Sequence, residues 1–256
     1  MAELAILSGI ESSAYVVFTP SGEPLALRAF DHGPYANWYG DDERMRGPYT
    51  RVRVAWCGHS AVLTPARLFD PTRPEAYLQQ LTKLPPGADV HAEAIAVLDA
   101  YLVYALPQAL TQLWQRLFSK HTYCHVLGVL LPALHRHATQ EGGELVQALF
   151  QGREIRLTVW REGQLLFTNA YTCQSARDFL YFSLLAFEQT SCSPAQTPFF
   201  LMGELTEDAE IYRTLYRYFK GLRFMPYPAD WPAPGARLAA YPPHFFLAPQ
   251  WLRMQP

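Results

Sequence analysis

The chain has 256 residues, of which 50% are hydrophobic, 14% aromatic and 17% charged, and 21 Lys and Arg against 23 Asp and Glu give a formal net charge of -2. This composition is typical of a folded protein with a large core, and it excludes disordered, collagen-like and coiled-coil chains. The near-neutral balance offers no basic field to nucleic acid, so we expect no nucleic-acid partner.

Cysteine usage and hydropathy indicate the compartment. The four cysteines are single, without a CxxC pair, and no N-terminal segment combines basic residues with an apolar run long enough for export. We therefore predict reduced thiols and a cytoplasmic location. The best membrane candidate, 126–134, is about half as long as a bilayer requires, so no membrane span is expected.

The first half of the chain predicts an initial strand followed by a β-hairpin. Apolar residues 4–7 precede two β-rich stretches, 14–19 and 25–30, which flank the turn residues 20–23. The stretch 31–49, with three glycines and a charged run, predicts an exposed insertion loop. Beyond it the pattern predicts strands at 51–56, 60–63, 92–98 and 101–105 and helices at 74–81 and 108–118.

The second half opens in the same way. Apolar residues 145–150 precede a hairpin over 155–171, and aligning Gly22 with Gly163 also aligns Ala29 with Ala170. Further along, the pattern predicts a helix over 176–189, a strand at 199–202 and a helix from Thr206 to Gly221. The Pro- and Trp-rich residues 226–256 predict an irregular C-terminal strap, with a polyproline peptide ligand as the alternative. The alternation of strands and helices favours an α/β architecture.

Six stretches carry a resemblance to a known family. They are 63–69 (LTPARLF), 102–107 (LVYALP), 169–171 (NAY), 178–182 (DFLYF) with 187–189 (FEQ), and 211–216 (IYRTLY). In this order they resemble the bacterial family designated domain of unknown function 3822 (DUF3822), whose members are described as having an actin-like ATPase fold. The family brings no established activity with it.

The resemblance implies an α/β fold of two lobes, the actin-like ATPase (ribonuclease H-like) fold, in which each lobe opens with three antiparallel strands followed by alternating strands and helices. We predict an N-terminal lobe over 1–119, which contains the loop 31–49. A C-terminal lobe would follow over 120–256 and end in the strap 226–256.

The resemblance also implies a nucleotide site at three glycine-containing turns. Actin-like ATPases hold the phosphates with two hairpin turns, each led by Asp-x-Gly, and place a Gly-Gly turn against the adenosine. In this chain the turns fall at 8–13, 150–154 and 202–204. The candidate cofactor-binding residues that they contribute are Gly9, Glu11, Ser12, Ser13, Gly152 and Gly203.

Each of these turns departs from the family pattern. Gln151 and Arg153 occupy the second turn where an Asp is expected, and Glu204 follows a single glycine in the third, where an acid would repel a phosphate. The chain also lacks GxxxxGK[ST] and GxGxxG, so no other phosphate cradle compensates. The pattern predicts a vestigial nucleotide cleft.

A histidine cluster is the one constellation that suggests a metal. It consists of His121, Cys124 and His125, with His135 and His137 nearby, and it would suit zinc if the segment were helical. The β-branched and aromatic residues within it favour an extended segment, in which the rings of His121 and His125 lie about 13 Å apart. Structural histidines are therefore the favoured interpretation.

Two further constellations have a functional and a structural interpretation. Cys57 and His59 follow a predicted strand and lie on one face, so they could form a Cys–His nucleophile. A buried cysteine beside a turn histidine is the favoured interpretation.

One predicted helix carries tyrosines on several sides, at Tyr212, Tyr216 and Tyr218. A single buried face of a helix cannot hold all three rings. Some of these rings should be exposed at an interface, so self-association through this helix is possible.

The sequence therefore favours a cytoplasmic pseudoenzyme of actin-like fold that acts as a binding or scaffold module. It would bind an unidentified protein partner or itself, and it would use no cofactor, no metal and no catalytic residue. The alternative is a divergent ATPase or kinase that binds Mg-ATP in the cleft between the lobes. In that case Glu11 would be the metal partner, with Ser12 or Ser13 on the phosphate.

Overall fold

The computed structural model describes residues 1–31, 42–81, 84 and 87–255. The described residues form thirteen strands, which are β1 (Glu3–Ser8), β2 (Ser12–Phe18), β3 (Pro24–Asp31), β4 (Arg51–Trp56), β5 (Ala61–Pro65), β6 (Asp89–Ile95), β7 (Ala100–Leu106), β8 (Thr122–His125), β9 (Glu144–Gln151), β10 (Glu154–Arg161), β11 (Gln164–Thr172), β12 (Phe199–Gly203) and β13 (Leu222–Phe224). They also form six α-helices, which are α1 (Glu75–Gln79), α2 (Gln108–Leu117), α3 (Val126–Glu141), α4 (Ala176–Gln189), α5 (Glu210–Tyr216) and α6 (Leu247–Arg253).

Two five-stranded sheets repeat one topology. The first has the order β3-β2-β1-β4-β8 and the second the order β11-β10-β9-β12-β13. In each sheet three antiparallel strands come first and two parallel strands follow. The predicted plan of two units, each opening with three antiparallel strands, is confirmed. The residues aligned in the two hairpins, Gly22 and Gly163, both have positive φ, as tight turns require.

A third, three-stranded sheet with the order β5-β7-β6 is inserted between β4 and β8. Its strands are antiparallel, and α1 packs against it through Leu78 beside Val103 and Ala105. The helix α2 then leads back to β8, with Trp114 fully buried. By its pairing with β4, β8 belongs to the first sheet, although it lies beyond the predicted lobe boundary at residue 119.

The two large sheets are joined through α3, which the sequence pattern did not predict. Its apolar residues pack in one cluster with residues of β1 and β4 and with Leu145, Leu149 and Trp160 of the second sheet. The opposite face of the second sheet packs on α4 and α5, where Phe179, Phe187 and Leu215 are buried. The second sheet is therefore covered on both faces.

The predicted exposed loop 31–49 differs in part from the structure. The part of the predicted exposed loop 31–49 that the structure describes is partly anchored, because Asp42 and Met45 are buried. The Tyr15 hydroxyl donates to Asp42 at 2.5 Å, and Arg28 donates to the same carboxylate at 2.7 Å. Asp31 is exposed, and residues 32–41 of that prediction lie outside the described residues.

The C-terminal strap is more regular than predicted, since it ends in α6. Leu247 and Leu252 of this helix are buried, and Arg253 forms an ion pair with Glu3 of β1 at 2.9 Å. The strap therefore returns to the first sheet, and Arg53 of β4 donates to the Gln255 carbonyl.

Candidate functional site

The first two glycine turns are in direct contact. The β1–β2 turn is closed by the Gly9 N–H, which donates to the Ser12 carbonyl at 2.9 Å. The Ser12 hydroxyl donates to the Gln151 carbonyl at 3.3 Å, and the Gln151 amide lies 3.4 Å from both the Leu7 and Ser12 carbonyl oxygens. Gln151 is buried, so its side chain fills the space between the turns.

Gly152 is required by this close approach. Its φ is +53°, and a Cβ at this position would lie 2.5 Å from the Ser12 Cβ and 3.0 Å from a carboxylate oxygen of Asp31. Both the left-handed backbone and the contact with Ser12 therefore exclude a larger side chain without rearrangement.

The third turn brings a carboxylate to the second. Gly203 has a φ of +88°, and the next backbone N–H, that of Glu204, donates to the Phe150 carbonyl at 2.9 Å. This conformation directs the Glu204 carboxylate to the Gly152 N–H, which donates to it at 3.2 Å. Backbone N–H groups in such turns are anion sites. Here the anion that accepts from Gly152 is part of the chain itself.

Burial raises the pKa of Glu204 from its usual 4.5 to about 7, with a further upward contribution from the nearby Asp31 carboxylate, whereas the hydrogen bond from Gly152 acts in the opposite direction. The carboxyl is therefore partly protonated near neutral pH.

The structure brings four of the six candidate cofactor residues together, namely Gly9, Ser12, Gly152 and Gly203. Glu11 is half-buried in the β1–β2 turn, and Ser13 is fully buried in β2. The sequence marked Gln151 and Glu204 only as departures from the family pattern. It did not show that these two side chains connect the turns.

A second site lies between β5 and β11, where two cavities adjoin. The smaller has a volume of about 210 Å³, and its lining includes His59, Arg156 and Asn169. The larger has a volume of about 440 Å³ and a mostly apolar lining. Leu63 lines both cavities, so they adjoin, and the pair is called the groove between β5 and β11 below.

Arg156 is the buried charge of this groove. Its buried side chain lines the smaller cavity, and its Nη2 donates to the Cys57 carbonyl at 2.9 Å. Within the described residues no carboxylate forms an ion pair with it. The nearby Glu154, two residues earlier in β10, lies 3.4 Å from His59 and still attracts the Arg156 charge. Burial lowers the pKa of this guanidinium.

Cys57 and His59, the candidate nucleophile and base, have different surroundings. The Cys57 Sγ donates to the Ala55 carbonyl, and burial raises the pKa of the thiol far above its usual value. His59 is partly exposed beside Glu154. A protonated, buried thiol is a poor nucleophile.

The histidine segment is extended at β8, as expected. His125 is buried at the start of α3, where its Nδ1 accepts from the Leu127 N–H and its Nε2 lies 3.0 Å from the Gly58 carbonyl. Burial lowers its pKa to about 3, so the ring is neutral and both nitrogens are used by the backbone. In the part of the chain that the structure describes, no three His, Cys, Asp or Glu residues are grouped as metal ligands.

The tyrosines of α5 and of the turn that follows it are exposed in part, as predicted. Tyr216 and Tyr218 are more than half exposed, whereas Tyr212 stacks on Phe224. Tyr181 of the neighbouring α4 is also exposed, so three exposed tyrosines lie on or next to the two helices that cover this face of the second sheet.

The paired topology and the three glycine turns define the class as the actin-like ATPase fold. A crystal structure from Bacteroides thetaiotaomicron, of a protein with actin-like ATPase fold and unknown function, is similar with a TM-score of 0.73 and 13% identity. The similarity covers 88% of this chain and 90% of that one. The PilM–PilN type IV pilus biogenesis complex is also similar, with a TM-score of 0.59, 13% identity and coverage of 98% and 97%.

The family model of proteins of unknown function DUF3822 matches residues 34–222, and the chain belongs to this family. No curated protein sequence matches the chain. Among the helices that the structure describes, none combines the length and the apolar character needed to cross a bilayer.

Proposed function

We propose that this chain is a non-catalytic protein-binding module of actin-like fold. The observation that carries the proposal is the Glu204 carboxylate on the Gly152 N–H, at 3.2 Å, where an ATPase of this fold would present the N–H to phosphate. A group of the chain itself then replaces the ligand.

Electrostatics supports the same conclusion. A nucleotide phosphate at Gly152 would displace the Glu204 carboxylate and come close to that of Asp31, which lies near the same glycine. Like charges about 4 Å apart repel by roughly 4 kcal/mol at the effective dielectric of a protein surface. A bound magnesium ion could offset this repulsion, so magnesium belongs in the test.

The protein-binding part of the proposal is supported by the fold and by the surface. The PilM–PilN complex shows that a protein of this fold can assemble with another protein. In this chain the exposed tyrosines Tyr181, Tyr216 and Tyr218 and the groove between β5 and β11 are surfaces available to a partner.

Calorimetry with ATP and ADP, each with and without magnesium, tests the proposal. We expect no binding heat at millimolar nucleotide for the wild-type chain. The variant Glu204→Ala removes the internal carboxylate, and Glu204→Gln is its matched control because it removes only the charge.

Magnesium-dependent binding at micromolar strength by the wild-type chain would overturn the proposal. The ATPase or kinase alternative would then be correct if a Glu11→Gln variant abolished turnover. Weak binding that appears only in Glu204→Ala would support the proposal, since it would show that the carboxylate occupies the anion position.

A further inference from the structure

The groove between β5 and β11 is bounded by two edge strands. Among the described strands, β5 is an edge of the three-stranded sheet and β11 an edge of the second sheet. The smaller cavity lies along residues 61–63 and 168–170, and the larger along 63–65 and 163–165. The two strands therefore run in opposite directions along the groove.

The length of the groove fits a short extended segment. At about 3.3 Å per residue, the lining part of β5 spans about 13 Å and that of β11 about 20 Å. A segment of roughly four to six residues in an extended conformation matches this span.

Backbone groups on β11 face the groove. The Ala170 N–H is not used by the ladder to β10, since it lies 2.9 Å from the side-chain oxygen of its neighbour Asn169. Alternation along an antiparallel strand places the N–H and C=O of Thr168 on the same outer side. The Ala170 N–H already donates to Asn169, so the Thr168 groups are the edge groups that can pair with an added strand.

The buried guanidinium specifies the ligand's charge. Isolated charges are rarely buried because desolvation is costly, and a buried Arg is usually paired with a carboxylate or phosphate. Arg156 is only 7% exposed and has a carbonyl oxygen as its hydrogen-bond acceptor. Glu154 is the nearby acid, but it forms no ion pair with Arg156 within the described residues, so the guanidinium can still pair with a carboxylate that enters from the groove.

The larger cavity has the opposite character. Leu63, Leu98 and Leu165 line it, and Asp99 is its charged residue. An acidic side chain would be repelled here and attracted in the smaller cavity, so the two cavities together fix the direction of a bound segment.

We propose that this groove binds an extended segment of a partner protein, which places an acidic side chain on Arg156 in the smaller cavity and an apolar side chain in the larger one. The inference rests on the proposed protein-binding function and specifies its site.

Selection from a phage-displayed library of random linear peptides tests the proposal. Display at the N-terminus of a coat protein leaves no free peptide carboxylate, so any selected acid is a side chain. We expect selected peptides to share an Asp or Glu close to an apolar residue. The synthetic Gln form of a selected Glu peptide should bind about 10- to 100-fold more weakly.

Variants of the chain locate the binding. Arg156→Met should abolish binding of the selected peptide, while Arg136→Met, at an exposed position on α3, should leave it unchanged. Selected peptides without an acid, or equal binding by wild type and Arg156→Met, would overturn the proposal. An absence of any selected peptide would also overturn it.

A second variant keeps the test independent of removing Arg156. Ala170 is the direct cross-strand partner of Arg156 and also lines the smaller cavity, so its side chain lies on the same face. Ala170→Glu should supply the missing carboxylate within the chain, raise the melting temperature and abolish peptide binding. Its matched control Ala170→Gln should not raise the melting temperature.

A melting temperature that does not distinguish Ala170→Glu from Ala170→Gln would contradict a guanidinium that can still pair with a carboxylate from the groove. These outcomes are separate from the nucleotide test. A chain that binds neither nucleotide nor acidic peptide keeps the proposed non-catalytic function and loses only this site.

Discussion

The Glu204→Gln variant measures how strongly the internal carboxylate is buried. In the folded chain this carboxyl has a pKa of about 7, against an ordinary value of 4.5, and burial is the main cause. The amide of Gln keeps the shape of the side chain and an oxygen that can accept from Gly152. It removes only the charge.

The sign of the effect follows from proton binding in the two states. Between about pH 4.5 and pH 7 the folded chain holds the proton that the unfolded chain has lost. Wild-type stability therefore falls as pH rises through this window. Above the pKa of the folded chain, the stabilisation that comes from the proton on Glu204 is fully lost. At about 1.4 kcal/mol for each unit of pKa difference, the loss is at most about 3 kcal/mol.

Urea denaturation of both proteins at about pH 5 and about pH 8 gives the difference in unfolding free energy directly. We expect the unfolding free energy of Glu204→Gln, taken relative to that of the wild type, to rise by up to about 3 kcal/mol from the lower to the higher pH. Burial also raises the pKa of Glu93 to about 7, but this carboxyl is present in both proteins and cancels in the comparison. Glu188→Gln, at an exposed position on α4, is the control. A difference that does not change with pH would refute a buried Glu204 carboxyl.

Three further outcomes follow from the same structure. Gly152→Ala should destabilise the chain by about 2–4 kcal/mol in urea denaturation, because it adds the contact with Ser12 to the backbone strain. Gly142→Ala has open space around it and should cost only the strain of its backbone conformation (φ +70°, ψ 173°), about 1–3 kcal/mol. The Cys57 thiol should resist iodoacetamide in the native protein near neutral pH and react on unfolding, as read by mass spectrometry, and fast native alkylation would contradict its burial. Leu252→Ala should cost about 2–5 kcal/mol in thermal or urea denaturation, whereas a neutral effect would contradict the packing of α6 on the first sheet.

Local sequence signals predicted the hairpins and the better capped helix. The two hairpins have turn residues between β-rich stretches, and the Ser175–Asp178 capping box is present at the start of α4 as predicted. These elements are determined by residues close in sequence, so pattern and turn chemistry suffice to find them.

The elements that sequence missed depend on tertiary contacts. The helix α3 contains Pro132 and several β-branched residues, and it is stabilised by burial between two sheets. The predicted cap at Thr206 instead hydrogen-bonds Asp208 in a local turn, and α5 begins four residues later than that cap, at Glu210. In both cases packing or a competing local bond outweighed helix propensity.

The site was predicted in part for the same reason. The three glycine turns were located through the resemblance to the actin-like ATPases, which places them at the ends of predicted strands. The contacts of Gln151 with the first turn and of Glu204 with Gly152 join residues that are distant in sequence. No pattern in a single sequence encodes such a contact. In the sequence Gln151 and Glu204 are only departures from the family pattern, whereas in the structure each forms a hydrogen bond between two turns.

These bonds also bear on where the chain can change shape. A nucleotide cleft has to separate its turns to admit a ligand, yet here Ser12 and Gln151 link the first two turns and Glu204 links the third. Under the proposed function the turns act as a fixed connection between the two sheets. The groove lies between β5 of the three-stranded sheet and β11 of the second sheet, and the described strands form no backbone ladder across it. A segment bound there would add backbone pairing between these two sheets. A rise in melting temperature on binding an acidic peptide, absent in Arg156→Met, would show this added connection.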